Sequence, residues 1–180
     1  MEKIALVTGS SSGIGFETSL GLARNGFYTF ASMRDVSKSN KIKELAEKEN
    51  LPIDIIELDV DKEDSIKNAI KSIVEKKQRI DVLVNNAGWG LWGSVEDVSV
   101  NEFKAQFETN FFSVIRMIQG VAPIMREQKS GHIINISSIA GRIGFPISPA
   151  YISSKFALEG LSESLRFELM PFGVNVIIIE

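Results

Sequence analysis

At 180 residues, with 44% hydrophobic and 24% charged residues, the chain can bury a sizeable core and is expected to form a single domain over residues 1–180. A net charge of −3 excludes the basic footprint of a nucleic-acid binder and a polybasic membrane surface, which leaves small molecules as the expected partners. The chain has no cysteine and only one histidine, His132, so disulfides and zinc sites are excluded. No apolar run is long enough to span a bilayer and the N-terminus runs straight into a strand, so a cytoplasmic protein is expected.

Residues 3–8 (KIALVT) are a short apolar run of the kind buried on both faces of a parallel sheet. The run breaks at TGSSSGIG, which puts glycines at 9, 13 and 15 between this strand and a helical pattern over residues 14–25. Glycines let the backbone turn tightly and approach a pyrophosphate, while free N–H groups and the positive end of the helix dipole stabilise its charge. The strand before and the helix after supply the context that such a turn needs.

Residues 28–33 (YTFASM) read as the second strand, followed by Arg34 and Asp35. Residues 37–50 are charged with apolar positions at Ile42, Leu45 and Ala46, an exposed helix with one buried stripe. Residues 53–58 (IDIIEL) give a third strand, and Asp59 after it either borders a ligand or caps the next helix. That helix, residues 61–76, carries acids in its first turn and lysines in its last, as the macrodipole prefers.

Residues 80–84 make the fourth strand, which ends at Asn85-Asn86-Ala87-Gly88 and runs into an aromatic loop with Trp89 and Trp92. The tryptophans suit either an apolar cleft wall or packing over the sheet. Ser99-Val-Asn-Glu102 is a capping box, so a long helix is expected over residues 100–128, with Asn110 in its middle. Residues 132–136 form the fifth strand, opened by His132 in a structural role and followed by Ser138. A loop rich in glycine and proline leads to a helix over residues 149–170, whose apolar positions are Phe156, Leu161, Leu165 and Leu169. Residues 174–179 (VNVIII) are the sixth strand. This alternation predicts an α/β fold, a doubly wound parallel sheet in the order 3-2-1-4-5-6.

Tyr151 and Lys155 are four apart, so a helix places a phenol and an ammonium on one face, one turn from each other. The cation favours the phenolate and makes Tyr151 a candidate proton donor. Ser138 follows a strand, and its hydroxyl could project toward whatever Tyr151 protonates.

Ser138 stands thirteen residues before the Tyr of Y-x-x-x-K. With T-G-x-x-x-G-x-G, N-N-A-G and Thr109-Asn110-Phe111, this spacing resembles the short-chain dehydrogenase/reductase (SDR) family over essentially the whole chain. MRD after the second strand and NNAGWGLWG are similar to its 17β-hydroxysteroid and retinol dehydrogenase branch. The resemblance implies an NAD(P)(H)-dependent oxidoreductase that interconverts a carbonyl and an alcohol, with an apolar substrate. It implies catalytic roles for Asn110, Ser138, Tyr151 and Lys155, with Asn110 disturbing its helix and holding a water against Lys155. Cofactor contacts are implied for Gly9, Ser11, Ser12, Gly13, Ile14, Gly15, Arg34, Asp59, Val60, Asn86, Ala87 and Gly88, besides Tyr151 and Lys155.

In NAD-binding relatives an acid ends the second strand, where this chain has Met33. Arg34 after it suits a 2′-phosphate, so NADP(H) is expected, with NAD(H) kept open by Asp35. A homodimer or homotetramer is implied through the Asn110 and Tyr151 helices. Relatives continue past the sixth strand into a seventh, so the chain is expected to be part of a longer protein. The rival reading is a non-catalytic dinucleotide-binding sensor or regulatory module on the same fold.

Overall fold

A computed structural model describes residues 2–180. Six strands, β1 (Lys3–Val7), β2 (Phe27–Met33), β3 (Ile53–Glu57), β4 (Val82–Asn85), β5 (Gly131–Ile136) and β6 (Val174–Ile179), form one sheet in the order β3-β2-β1-β4-β5-β6. All pairings are parallel, as the alternation of strand and helix requires. The expected α/β sheet and its strand order are therefore those observed.

The helices are α1 (Gly13–Arg24), α2 (Asn40–Glu49), α3 (Glu63–Lys77), α4 (Val100–Phe107), α5 (Ser113–Gln128) and α6 (Pro149–Leu169). The main core is a sandwich of β-strand and helix side chains, including Leu83, Ile133, Met117, Val121 and Leu158, each essentially inaccessible to solvent. Burial of each such side chain stabilises the fold by about 1.5–3 kcal/mol. No helix among the described residues is long and apolar enough to cross a membrane.

Three local expectations need correction. Ile80 is fully buried, yet it precedes β4, because its backbone N–H and C=O both bond the Gln128 side chain (3.0 and 2.9 Å) and not a neighbouring strand. The helix expected over residues 100–128 is broken by a wide π turn at Glu108–Phe112, so it forms as α4 and α5. On α6, Leu158, Leu165 and Leu169 face the core and Leu161 packs against it, whereas Phe156 lies on the exposed side.

A buried polar ladder crosses the second half of the sheet. Parallel register sets Asn85 beside Asn135, and Asn85 Nδ2 donates to Asn135 Oδ1 at 2.8 Å. Asn135 Nδ2 donates in turn to Ser162 Oγ on α6, also at 2.8 Å. Losing these bonds would leave buried amide groups unpaired, as Asn85 Oδ1 already is among the described residues, so the two bonds favour one alignment of β4, β5 and α6.

Candidate active site

A cleft of about 910 Å³ opens at the carboxyl ends of the strands. Its lining comes from the residues that follow β1 (Gly9, Ser11, Ser12, Ile14), β2 (Arg34), β3 (Leu58, Asp59, Val60) and β4 (Asn86, Ala87, Gly88), with Tyr151 and Lys155 from α6. Chain direction alone explains this convergence, because in a parallel sheet every strand delivers its next residues to the same edge. The cleft straddles β1 and β4, where the strand order reverses.

The glycine turn is held from the β4 side. Thr8 Oγ1 accepts from the N–H groups of Asn86 and Ala87 (both 3.0 Å), while Asn86 Nδ2 donates to Thr8 O at 2.8 Å and Gly9 O at 3.2 Å. Asn86 thus joins the ends of β1 and β4. Gly9 has φ +69°, and Gly15 sits where a Cβ would fall on Asn86 Nδ2 and the Gly9 carbonyl. Gly15→Ala is therefore expected to lower stability by about 1–3 kcal/mol in urea unfolding, since one of the packed neighbours is backbone. α1 begins with no acidic residue in its first turn and no side chain capping it, so its N-terminal N–H groups stay available to an anion. Gly13 and Gly15 do not line the cleft; they shape the turn behind it.

At the end of β2, Arg34 lines the cleft and has no hydrogen bond or ion pair among the described residues. Asp35 does not line it. Its carboxylate accepts from Ser37 N at 3.0 Å and Ser37 Oγ at 2.6 Å, capping the short turn Val36–Ser39, and these bonds hold its carboxyl below the usual range. Asp59 also faces inward, with Oδ1 accepting from Asp61 N at 3.2 Å.

Asn110 lies in the π turn, 2% exposed. Its Oδ1 accepts from Trp89 N at 3.1 Å, and its Nδ2 donates to Trp89 O at 2.9 Å and Ser154 Oγ at 3.2 Å. The expected helix disturbance is thus present, and the side chain clamps the loop after N-N-A-G to α6. Single wide turns of this type concentrate at functional sites.

Proline at the start of α6 pre-sets its first turn, and the helix carries Tyr151 and Lys155 on one face. Lys155 Nζ lies 5.7 Å from the Tyr151 ring centre and donates to Ile136 O at 2.8 Å. Lys155 is 8% exposed, and burial pushes its ammonium down to about 8, with Glu159 acting in the opposite direction. A second, more apolar cleft of about 520 Å³ adjoins the first and shares Ile14, Ile136, Ser137 and Tyr151 with it. Ser138 lines this second cleft beside Tyr151. Its Oγ accepts from Ala140 N at 3.1 Å, which leaves the hydroxyl hydrogen free to donate.

Sequence reasoning missed Asp61 and Gln106. Asp61 lines the cleft and accepts from Thr109 Oγ1 at 3.0 Å, while Thr109 Oγ1 accepts from Trp89 Nε1 at 3.2 Å. Burial pushes the Asp61 carboxyl up, partly offset by that hydroxyl. Gln106 bonds Leu91 N at 2.7 Å and Trp89 O at 2.7 Å, fixing the aromatic loop from α4. Neither had a local signal, because their partners lie on other elements. Both tryptophans line the first cleft, and Trp92 is 70% exposed.

A crevice outside the strand ends at the switch point, entered by a glycine turn that leads into an open helix N-terminus, defines a dinucleotide-binding domain of the Rossmann type. The chain belongs to the short-chain dehydrogenase family, whose family model matches residues 3–180. It is 47% identical over 181 residues to the uncharacterized oxidoreductase YusZ of Bacillus subtilis, covering 99% of this chain and 64% of that protein. Retinol dehydrogenase 8 of Homo sapiens is 36% identical over 182 residues, covering 99% of this chain and 58% of that protein. A solved metagenomic short-chain oxidoreductase in complex with NADP superposes with a TM-score of 0.94 at 32% identity, covering 98% of this chain and 80% of that one. The chain thus spans about three fifths of the length of the curated relatives it matches.

Proposed function

We propose that this chain carries the cofactor-binding and proton-handling part of an NADP(H)-dependent oxidoreductase that interconverts a carbonyl and an alcohol. The observation that carries this reading is the Tyr151–Lys155 pair, set in one cleft with the glycine turn and beside Ser138. A nicotinamide cofactor, when bound, supplies or accepts the hydride. The turn at Gly9, Ser11, Ser12 and Ile14 and the N-terminus of α1 would hold its diphosphate. Asp59, Val60, Asn86, Ala87 and Gly88 would border its adenosine and riboses. In the reducing direction Ser138 donates to the carbonyl oxygen, and Tyr151 gives its proton to that oxygen as the alcohol forms. The Lys155 ammonium stabilises the phenolate left behind, and Asn110 holds the loop that faces it. A purely regulatory module would have no use for a desolvated lysine beside a phenol.

Arg34 supports the phosphorylated cofactor, because its guanidinium forms no ion pair or hydrogen bond among the described residues, while Asp35 is engaged in a cap. NADPH is expected to bind at least tenfold more tightly than NADH, read from nicotinamide fluorescence on titration. Arg34→Ala is expected to remove most of that preference, and equal affinities in the parent protein would reject the assignment.

Trp89 and Trp92 in the first cleft and Ile139 in the second leave exposed apolar surface there, which favours a bulky apolar alcohol or ketone. The relative named for retinol agrees with this. The test is a panel of carbonyl compounds assayed by NADPH oxidation in the full-length protein, in which polyene and steroid carbonyls should be reduced and small sugars should not. Exposed Phe112, Phe156 and Phe167 give the π turn and α6 a surface for a second copy, so a homo-oligomer is expected by sedimentation.

A further inference from the structure

Glu159 is a buried acid for which the chemistry above has no role. It lies one turn after Lys155 on α6, is 4% exposed, and neither carboxylate oxygen accepts a hydrogen bond. Among the described residues its one ion-pair partner is Arg142, whose Nη2 stands 3.2 Å from Glu159 Oε2. Arg142 is shared, because it also meets Glu180 Oε1 at 2.8 Å and Glu163 Oε1 at 3.5 Å. Gly141 lets the loop after β5 close onto this carboxylate, since a Cβ there would lie 2.8 Å from Glu159 Cγ and 2.8 Å from Ser137 Oγ. An acid kept in such a place, held by charge and packing alone, acts on its surroundings through its field.

Among the described residues Lys155 has no carboxylate within ion-pair distance, and its one hydrogen bond goes to the carbonyl of Ile136. The charged and titratable groups that face it from α6 are Tyr151 and Glu159, with Glu163 beyond them. Arg142 comes from the turn after β5 and Glu180 from the end of β6. The charges on α4, Glu102 and Lys104, are exposed, and Glu108 of the π turn pairs with Arg116. Arg34, Asp59 and Asp61 line the same cleft after β2 and β3.

We propose that Glu159 is a positioning residue that keeps the Lys155 ammonium charged, and that Arg142, divided among three glutamates, sets how much of the Glu159 field Lys155 feels. The proposal rests on the reading of Tyr151 and Lys155 as the proton-handling pair only for its effect on turnover. Burial alone draws Lys155 toward the neutral form near neutral pH, and Glu159 opposes this. Two charges one helical turn apart, at an effective dielectric constant of about 20 and with Arg142 offsetting part of the field, couple by about one pH unit.

The test is side-chain NMR of ¹⁵N-lysine-labelled full-length protein, following Lys155 Nζ through pH 6–10. Glu159→Gln, nearly isosteric, should move the Lys155 midpoint down by about one unit. Arg142→Gln, at a half-exposed position, should move it up, because Glu159 then acts without a competing cation. Glu159→Asp should lie between Glu159→Gln and the parent. An unmoved midpoint in Glu159→Gln, or shifts of the same sign in both Gln variants, overturns the proposal. The alkaline limit of NADPH-dependent carbonyl reduction should follow the midpoint. If the midpoint moves and turnover does not, the coupling stands and the proton-handling reading fails.

Discussion

Replacing Tyr151 with phenylalanine is expected to lower turnover by about 10²–10⁴-fold, the usual worth of a positioned general acid, while NADPH affinity stays within a few-fold. The contrast follows from what the side chain touches. Its ring packs beside Gly90, where an added Cβ would be 3.6 Å away, and phenylalanine keeps that contact. The hydroxyl makes no hydrogen bond among the described residues, so its removal strands no partner and the melting temperature should hardly change. What is lost is one transferable proton at the junction of the two clefts. Near-normal turnover in steady-state assays would reject Tyr151 as the acid, and a collapse of both stability and cofactor binding would mark its role as structural.

Lys155→Met, by contrast, should change stability as well as activity, making the protein more stable at pH 7 and inactive. The ammonium sits at about 8 in the folded chain against 10.5 in an exposed lysine, with burial as the main cause. Because the folded value is the lower one, the unfolded chain binds the proton more tightly. The penalty for burying this charge is complete below pH 8, shrinks as pH rises from 8 to 10.5, and is gone above that. At about 1.4 kcal/mol per unit, the penalty is about 3 kcal/mol. Losing the bond to Ile136 O returns about 1 kcal/mol of it. Methionine is therefore expected to gain about 1–3 kcal/mol in urea unfolding at pH 7, a gain that fades toward pH 10.5. A loss of stability at pH 7, or a gain independent of pH, would contradict the burial argument. Such a trade of stability for activity is what a functional lysine in a dry site entails.

How much of this was legible in the sequence depends on how local each interaction is. Strands such as Lys3–Val7 and Val174–Ile179 are short apolar runs bounded by turn residues, and pattern alone located them. The turn at Gly9 and Gly15 was readable because strand, glycines and helix are contiguous. Ile80 misled the pattern, since it is as buried as a strand residue but bonds a glutamine 48 positions away. The disturbance at Asn110 was legible only through the family resemblance, not through the hydrophobic pattern. The capping box at Ser99 pointed to one helix over residues 100–128, and the contacts that the turn serves, from Asn110 to Trp89 and Ser154, lie on other elements. Asp61, Gln106 and Glu159 read as ordinary helix-surface charge or polarity. Their importance comes from tertiary neighbours that no window of sequence contains.

The ladder from Asn85 through Asn135 to Ser162 bears on how the molecule is assembled in time. Its first bond spans 50 residues and needs only β5, whereas its second, 27 residues further on, cannot close until α6 has been synthesised. A nascent chain on the ribosome can dock β1 to β3 early and join β4 to β5 once β5 emerges, but Asn135 Nδ2 must stay hydrated until α6 arrives. The second half of the sheet thus completes its side-chain bonds later, and a shifted alignment of β4 on β5 is disfavoured because it gives up the Asn85–Asn135 bond.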